Sequence, residues 1–273
     1  NITHIIRGEE WITSVPKHIL IYKALGWDVP LMAHVPLILN PDKSKLSKRQ
    51  GDVAVEDYLQ KGYLKEALVN FIALLGWNPG EGEEKEFFSM EELTKEFTLD
   101  KVQTSGAVFN IDKLNWMNNA YIKNYDIDKL ADISMPFFEG TGIDMNDKER
   151  LTKILSAIRV YLNKLNEIPE HVELFAAAEV TIKEETLLEH LTSETSKKAF
   201  ASLSEKIEAL DFLTADNYKL AISEVQSETG IKGKALFKPV RIALTGSENG
   251  PELPAIAEIL GKDKVIEFLK RWH

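Results

Sequence analysis

Four cationic side chains lie within seven residues of one segment, PDKSKLSKRQGD, which spans residues 41–52. They are Lys43, Lys45, Lys48 and Arg49. Like charges at this spacing repel one another, so the segment is most stable with an anion bound. Lysine ammonium groups suit phosphate oxygens, and Lys45 and Lys48 can approach one polyphosphate from the same loop. Such a clamp would stabilise a leaving pyrophosphate. On charge alone, however, a solvated basic loop is the favoured interpretation, because a five-residue motif is a weak signal.

The composition is that of a globular protein of two or three domains, with 273 residues, 44% hydrophobic and 28% charged. The chain has no Cys, which excludes disulfides and thiolate metal sites, and its six His form no ligand-spaced pair. No apolar run approaches the length of a membrane span. We therefore expect a cytoplasmic protein without a membrane partner. The net charge of −10 argues against indiscriminate nucleic-acid binding but allows a local basic face.

The elements predicted from the sequence are mostly helical. A strand opens the chain, a helix follows Pro16 and ends at Gly26, and HVPLIL (34–39) is predicted to be a buried strand that leads into the cationic loop. Later helices are predicted over 62–77, from Ser89, over 147–165, from Pro239 to Gly246, and at the C-terminal end. Few strands are predicted after residue 40. The fold class is therefore mainly α, attached to the tail of an α/β domain.

Several longer segments support a resemblance to a known family. KLSKR resembles the KMSKS loop of class I aminoacyl-tRNA synthetases. Four flanking segments are similar to bacterial glutamyl-tRNA synthetases and occur in that family's order. They are IIRGEEWITSVPKHILIYKALGW, GYLKEALVNFIALLGW, VFNIDKLNWMNNAYI and KPVRIALTGS. The helical second half agrees with the glutamyl enzymes, since glutaminyl relatives use β-barrels for the anticodon.

The resemblance implies three domains. Residues 1–60 are expected to be the C-terminal part of a Rossmann-type catalytic domain with the KMSKS-type loop, residues 61–135 a helical stem-contact domain, and residues 136–273 a helical anticodon-binding region divided near 170–175. No HIGH-type ATP motif is found in the sequence, and the chain opens with strand character and no Met. We therefore expect a C-terminal portion of the enzyme that is inactive alone.

The resemblance also implies a glutamate and ribose site near the start of the chain. Arg7 matches the arginine that holds the substrate glutamate, and a guanidinium offers the bidentate contact that a carboxylate prefers. From the residues alone, a surface ion pair with Glu9 or Glu10 is the favoured interpretation; the resemblance favours glutamate binding instead. Glu10 matches a carboxylate near the ATP ribose. Trp11 beside it is either an ATP contact or a packing residue.

The remaining implied ATP contacts lie in and before the cationic loop. Ile38 corresponds to the place where the family's backbone meets adenine. Lys45 and Lys48 correspond to the catalytic lysines that bind the ATP phosphates, and Ser47 either holds the shape of the loop or donates to a phosphate. Arg49 differs from the final serine of KMSKS, but an arginine is usual at this position in the glutamyl enzymes. ATP would arrive with Mg²⁺ on its phosphates, and no protein-bound zinc or other metal site is expected.

The second half is expected to bind tRNA. Arg241 matches a family arginine at the anticodon loop, and Lys232, Lys234 and Lys238 add a local basic strip, for which a solvated helix face is the alternative. The family's second anticodon arginine falls on Tyr161 rather than Arg159, both on the predicted 147–165 helix. That departure puts rejection of tRNA(Gln) in doubt, because a tyrosine lacks the guanidinium fork.

Other aromatic side chains are given structural roles. Trp116, Phe137 and Phe138 are expected in the core rather than stacked on bases. The expected partners are tRNA(Glu), with tRNA(Gln) as a second candidate, L-glutamate and ATP, and the expected state is a monomer. The rival function is a non-catalytic tRNA-binding module. A short paralogue that glutamylates a modified tRNA base is disfavoured, because that family lacks a helical region like 136–273.

Overall fold

A computed structural model describes residues 2–46, 54–80, 85–182 and 184–273. The chain divides into two compact units, Asn1–Asn124 and Tyr125–His273. Among the described residues no helix is long and apolar enough to cross a membrane.

The first unit opens with a parallel strand–helix–strand crossover. Strand β1 (His4–Gly8) leads through a 3-10 turn (Glu9–Ser14) into helix α1 (Val15–Ala24), and strand β2 (Leu31–Val35) returns beside β1. Strand β3 (Ile38–Leu39) then pairs in parallel with β4 (Ala107–Val108).

The predicted strand over 34–39 is therefore two strands with different partners. β2 ends at Val35 and β3 begins at Ile38. Pro36 lies between them and lacks the N–H that a continuous ladder needs.

Helices complete the first unit. They are α2 (Val55–Gln60), α3 (Lys65–Gly76), α4 (Met90–Glu96) and α5 (Ile111–Asn124). α3 packs against α4 and α5. The predicted capping box is confirmed at α4, where the Ser89 hydroxyl accepts from the Glu92 N–H at 3.1 Å and the Glu92 carboxylate accepts from the Ser89 N–H at 2.8 Å. Trp116 on α5 is 48% exposed, so its predicted place in the core is wrong, whereas Phe138 is buried as expected.

The second unit is helical in all its described elements of regular structure. Its helices are α6 (Ile127–Phe138), α7 (Lys148–Ile158), α8 (Ile168–Ala176), α9 (Leu188–Thr192), α10 (Glu194–Glu208), α11 (Ala215–Thr229), α12 (Lys234–Thr245), α13 (Leu253–Leu260) and α14 (Lys262–Lys270). α10 lies at the centre of the later helices and packs against α11, α12 and α14. Side chains of α10 such as Phe200 and Leu203 are fully buried there.

Two predicted helix boundaries in this unit are wrong. The helix expected over 147–165 ends at Ile158, and Arg159–Tyr161 form a 3-10 turn. Leu162 and Leu165 after the turn remain buried, so the apolar spacing continued past the end of the helix. Pro239, expected near a helix start, lies inside α12, which begins at Lys234.

Candidate functional site

The Arg7 side chain lies near the end of β1, opposite His34 in the neighbouring strand. Its Nε donates to His34 Nε2 at 3.0 Å, and its Nη1 lies 3.1 Å from His18 Nδ1 on α1. The guanidinium also lies 5.9 Å from the centre of the Trp11 ring, which is half exposed. In the described part of the chain Arg7 forms no ion pair with a carboxylate. The guanidinium is thus oriented by two neutral imidazole acceptors rather than by a carboxylate.

His18 and His34 were not identified from the sequence. His34 could have been identified by its position opposite Arg7 in the parallel strand pair. That register can be derived only when the boundaries of both strands are known.

The start of the cationic loop contacts the 3-10 turn after β1 through Glu10. Lys45 Nζ lies 3.8 Å from Glu10 Oε1, with the two side chains 58% and 44% exposed. An ion pair this exposed contributes little stability, so either charge can exchange to another partner. The Glu10 carboxylate folds over Gly8, where an added Cβ would lie 2.1 Å from Glu10 Oε2. Glycine at position 8 is what allows this conformation of Glu10.

Backbone hydrogen bonds hold the start of the loop against β3. The Leu46 N–H donates to the Ile38 carbonyl at 3.0 Å, and Leu39 forms an antiparallel bridge with Lys45. The Ser44 hydroxyl donates to Asp42 at 2.6 Å and, with the Ser44 N–H, lowers the pKa of the Asp42 carboxyl. The Ile38 carbonyl therefore already accepts one hydrogen bond from the loop. Ser47, Lys48 and Arg49, the other predicted loop contacts, lie outside the described residues.

In the second unit, Tyr161 and Arg241 meet at one loop. Arg241 on α12 donates from Nη1 to the Pro251 carbonyl at 2.7 Å, and the Tyr161 hydroxyl donates to the Gly250 carbonyl at 3.0 Å. Arg159 does not join them, because its Nη1 donates to the Tyr125 carbonyl at 3.3 Å. The structure thus brings two of the three predicted anticodon residues together on consecutive peptide groups.

The predicted basic strip follows one face of α12. Lys234, Lys238 and Arg241 recur at i, i+4 and i+7, and Lys232 is exposed in the turn before the helix. Lys238 pairs with Glu248 at 2.5 Å. No group of three or more His, Asp or Glu side chains in the described ranges could hold a metal ion.

The first unit holds a parallel strand–helix–strand crossover and the start of a cationic loop, and the second unit is helical. Comparison with family models assigns the class, that of the class I aminoacyl-tRNA synthetases. The family model for "tRNA synthetases class I (E and Q), catalytic domain" matches residues 1–116, and the model "Anticodon binding domain" matches residues 129–272.

Curated and solved relatives identify the branch. The chain is 42% identical to a glutamate–tRNA ligase of Alkaliphilus metalliredigens, over 98% of this chain and 56% of that protein. It is 44% identical to the Clostridioides difficile enzyme, over 97% and 54% respectively. The structure of a glutamate–tRNA ligase from Elizabethkingia meningosepticum superposes with a TM-score of 0.82 at 31% identity, covering 99% of this chain and 56% of that one.

The chain therefore belongs to the glutamate–tRNA ligase family of class I aminoacyl-tRNA synthetases. It spans just over half the length of the curated relatives it matches. The predicted family and the mainly α fold class, with a catalytic-domain tail and an anticodon-binding domain, are confirmed.

Proposed function

We propose that the chain is the part of a cytoplasmic glutamate–tRNA ligase that carries the phosphate-clamping loop and binds tRNA. The observation that carries this proposal is the 3.8 Å contact between Lys45 and Glu10. It joins the start of the cationic loop to the turn that follows the strand of Arg7. The carboxylate of glutamate and the phosphates of ATP would then bind side by side.

Each residue takes a defined part in the proposed reaction. Arg7 holds the side-chain carboxylate of glutamate, and Glu10 accepts from the ribose hydroxyls of ATP. The α-carboxylate of glutamate attacks the α-phosphate, which forms glutamyl-adenylate and releases pyrophosphate. Lys45 and Lys48 stabilise the charge that develops on this leaving group. Mg²⁺ would accompany the phosphates and supply further charge neutralisation.

The second step of the proposal transfers glutamate to tRNA. A hydroxyl of the terminal tRNA ribose attacks the acyl carbon of the adenylate and releases AMP. No nucleophilic side chain is required, because positioning and electrostatics supply the catalysis. The helices of 61–135 would contact the tRNA stem, and Arg241 and the basic strip of α12 would bind the anticodon loop.

A matched set of lysine variants tests the clamp in a protein that also carries a HIGH-type motif. Lys45→Ala and Lys48→Ala should each lower kcat of ATP–pyrophosphate exchange by about 10²–10³, with tRNA affinity nearly unchanged. Lys43→Ala removes the same charge from the same loop and should have little effect. Equal losses for all three variants would instead indicate a loop that attracts anions by net charge.

The rival proposal, a tRNA-binding module without catalysis, is tested on the 273-residue chain itself. We expect tRNA(Glu) binding without glutamate-dependent ATP–pyrophosphate exchange, because this sequence holds no HIGH-type motif. Exchange above the no-protein level would refute inactivity of the isolated chain. Lack of exchange in the longer protein as well would favour the module.

Recognition of tRNA(Gln) is the finer part of the proposal. Tyr161 stands where the resemblance expects an arginine, and a bidentate arginine supplies roughly 1–3 kcal/mol of discrimination between bases. We propose that the whole enzyme charges tRNA(Gln) detectably. Aminoacylation kcat/KM on both transcripts measures this, and selectivity for tRNA(Glu) above about 10³ would contradict it.

A further inference from the structure

We propose that Tyr161 is a positioning residue, which holds the guanidinium of Arg241 in its reading orientation through the loop 247–251. The inference rests on the proposed function, in which Arg241 contacts the anticodon loop. It assigns to Tyr161 a role other than direct base contact.

The geometry that carries the inference is a pair of consecutive carbonyl acceptors. Tyr161 donates to the Gly250 carbonyl at 3.0 Å, and Arg241 donates to the Pro251 carbonyl at 2.7 Å. One peptide group separates the two acceptors. A shift of residue 250 therefore moves the group that orients the guanidinium.

The rest of the loop has its own supports. The Ser247 N–H donates to Thr245 Oγ1 at 3.2 Å, the Asn249 N–H donates to Ser247 Oγ at 3.2 Å, and Glu248 pairs with Lys238. These contacts hold the first half of the loop to the end of α12. The Tyr161 hydroxyl is the side-chain contact to the Gly250 carbonyl in the described structure.

Gly250 adds a conformational requirement at the same place. Its φ is +138°, a region that L side chains rarely adopt, and an added Cβ would lie 3.9 Å from Arg241 Nη1. The backbone thus passes close to the guanidinium in a conformation that depends on glycine. The Tyr161 hydrogen bond holds this segment in place.

The number of hydrogen-bond donors on each side chain distinguishes Arg241, which can contact a base, from Tyr161, which positions it. The single hydroxyl proton of Tyr161 is given to Gly250, and its ring stacks on His171 with centroids 6.1 Å apart. Arg241 has five N–H donors and uses one of them on Pro251. Its other donors meet no acceptor in the described part of the chain. Arg241 can therefore contact a base while Tyr161 keeps its partners.

The test is a double-mutant cycle on tRNA affinity. The 273-residue chain and its Tyr161→Phe, Arg241→Ala and double variants are titrated with tRNA(Glu) transcripts. One transcript has the native anticodon, and in the others each anticodon base is replaced in turn. Tyr22→Phe, in the first unit, is the matched loss of a phenolic hydroxyl. Thermal unfolding of each variant reports whether the fold is intact.

We expect Tyr161→Phe to weaken binding of the native transcript roughly 3- to 10-fold, the effect of one lost hydrogen bond. It should have no further effect in the Arg241→Ala background, nor on the transcript whose altered base abolishes the effect of Arg241→Ala. Tyr22→Phe should bind as the unmodified chain does. Gly250→Ala should show the same dependence on Arg241 as Tyr161→Phe.

Three results would overturn the inference. An equal loss with and without Arg241 would mean that Tyr161 contacts tRNA independently, and no loss in either background would mean that the hydroxyl does not position Arg241. If Arg241→Ala leaves every transcript bound with unchanged affinity, the anticodon role in the proposed function fails, and the inference fails with it. The Arg241→Ala variant thus distinguishes failure of the anticodon role of Arg241 from failure of the positioning role of Tyr161 alone.

Discussion

Arg7 is a charged residue whose side chain is oriented by two histidines. Its half-buried guanidinium donates to His34 and lies beside His18, with no carboxylate of the described residues paired to it. Imidazole acceptors fix the direction of the side chain without cancelling its charge. If Arg7 binds glutamate as proposed, the carboxylate would meet an oriented donor and would not have to displace an ion pair.

At this site we predict that His34→Ala raises KM for glutamate about 10-fold with a smaller change in kcat. The reason is that a hydrogen bond to a charged group is worth roughly 1.5–3 kcal/mol, and its loss leaves the guanidinium less well oriented. ATP–pyrophosphate exchange in the full-length enzyme at varied glutamate measures the effect. His4→Ala, an exposed histidine on the same strand as Arg7, is the control; an equal change in both variants would contradict the orienting role.

Tyr218 is a second residue whose surroundings allow a prediction. It is almost fully buried, and its hydroxyl has no hydrogen-bond partner within the described residues. Burial raises the pKa of Tyr218, although Arg241 nearby acts in the opposite direction. The pKa of Tyr218 in the folded protein lies above its value of about 10 in the unfolded chain. Ionisation of the hydroxyl therefore has no effect on the free energy of unfolding below pH 10, and the protein loses stability through this group as the pH rises further.

Tyr218→Phe should therefore leave the free energy of unfolding at pH 7 unchanged within about 0.5 kcal/mol or raise it, because an unpaired hydroxyl contributes no hydrogen bond. It should also reduce the loss of stability above pH 10. Urea unfolding at neutral and alkaline pH measures both effects. A loss of more than about 1 kcal/mol at pH 7 would show that the hydroxyl has a partner.

At the scale of elements, two helix ends in the second unit form a matched pair. α11 is capped at its C-terminal end by Gly230 with φ +73°, and α12 is capped by Gly246 with φ +71°. An added Cβ at Gly230 meets nothing within 4 Å, whereas at Gly246 it would lie 2.3 Å from the Thr181 carbonyl oxygen. The two positions share a backbone conformation and differ only in the space around it.

Gly230→Ala should lower the free energy of unfolding by about 1 kcal/mol, the cost of a left-handed alanine. Gly246→Ala should lower it by about 2–4 kcal/mol, because overpacking against backbone adds roughly 1–3 kcal/mol. Urea titration of both variants gives the comparison. Equal losses would mean that the segment around Thr181 moves aside at little cost.

At the scale of the whole molecule, the two units differ in how well they cover their apolar side chains. In Tyr125–His273 the central helices bury their apolar faces, with Phe200 and Ile256 inaccessible to solvent. In the first unit Ile6, Leu20 and Leu31 are each more than half exposed around the β1–β2 crossover. The hydrophobic contribution to stability is therefore unequally distributed.

We predict that a polypeptide of residues 125–273 folds alone, with a helical circular-dichroism spectrum and one cooperative urea transition. A polypeptide of residues 1–124 should bind a hydrophobic dye and should aggregate at a lower protein concentration than 125–273, because its apolar side chains are exposed to solvent. A gradual, non-cooperative transition of 125–273 would contradict the first expectation.

Local patterns in the sequence determined much of this protein. The capping box at Ser89, the helix stops at Gly26 and Gly246, and the mainly α class all follow from interactions between residues close in sequence. The cationic loop and the family to which the chain belongs were also predictable, because contiguous segments carry those signals.

Tertiary structure decided the remainder, because the contacts concerned join residues far apart in sequence. The partners of Arg7 depend on strand register, and the loop shared by Tyr161 and Arg241 depends on how α12 and α13 pack beside the turn after α7. The end of α7 at Ile158 was hidden because Leu162 and Leu165 keep helical apolar spacing beyond it. Periodicity reports which side chains are buried, but the backbone path between them is set by what they pack against.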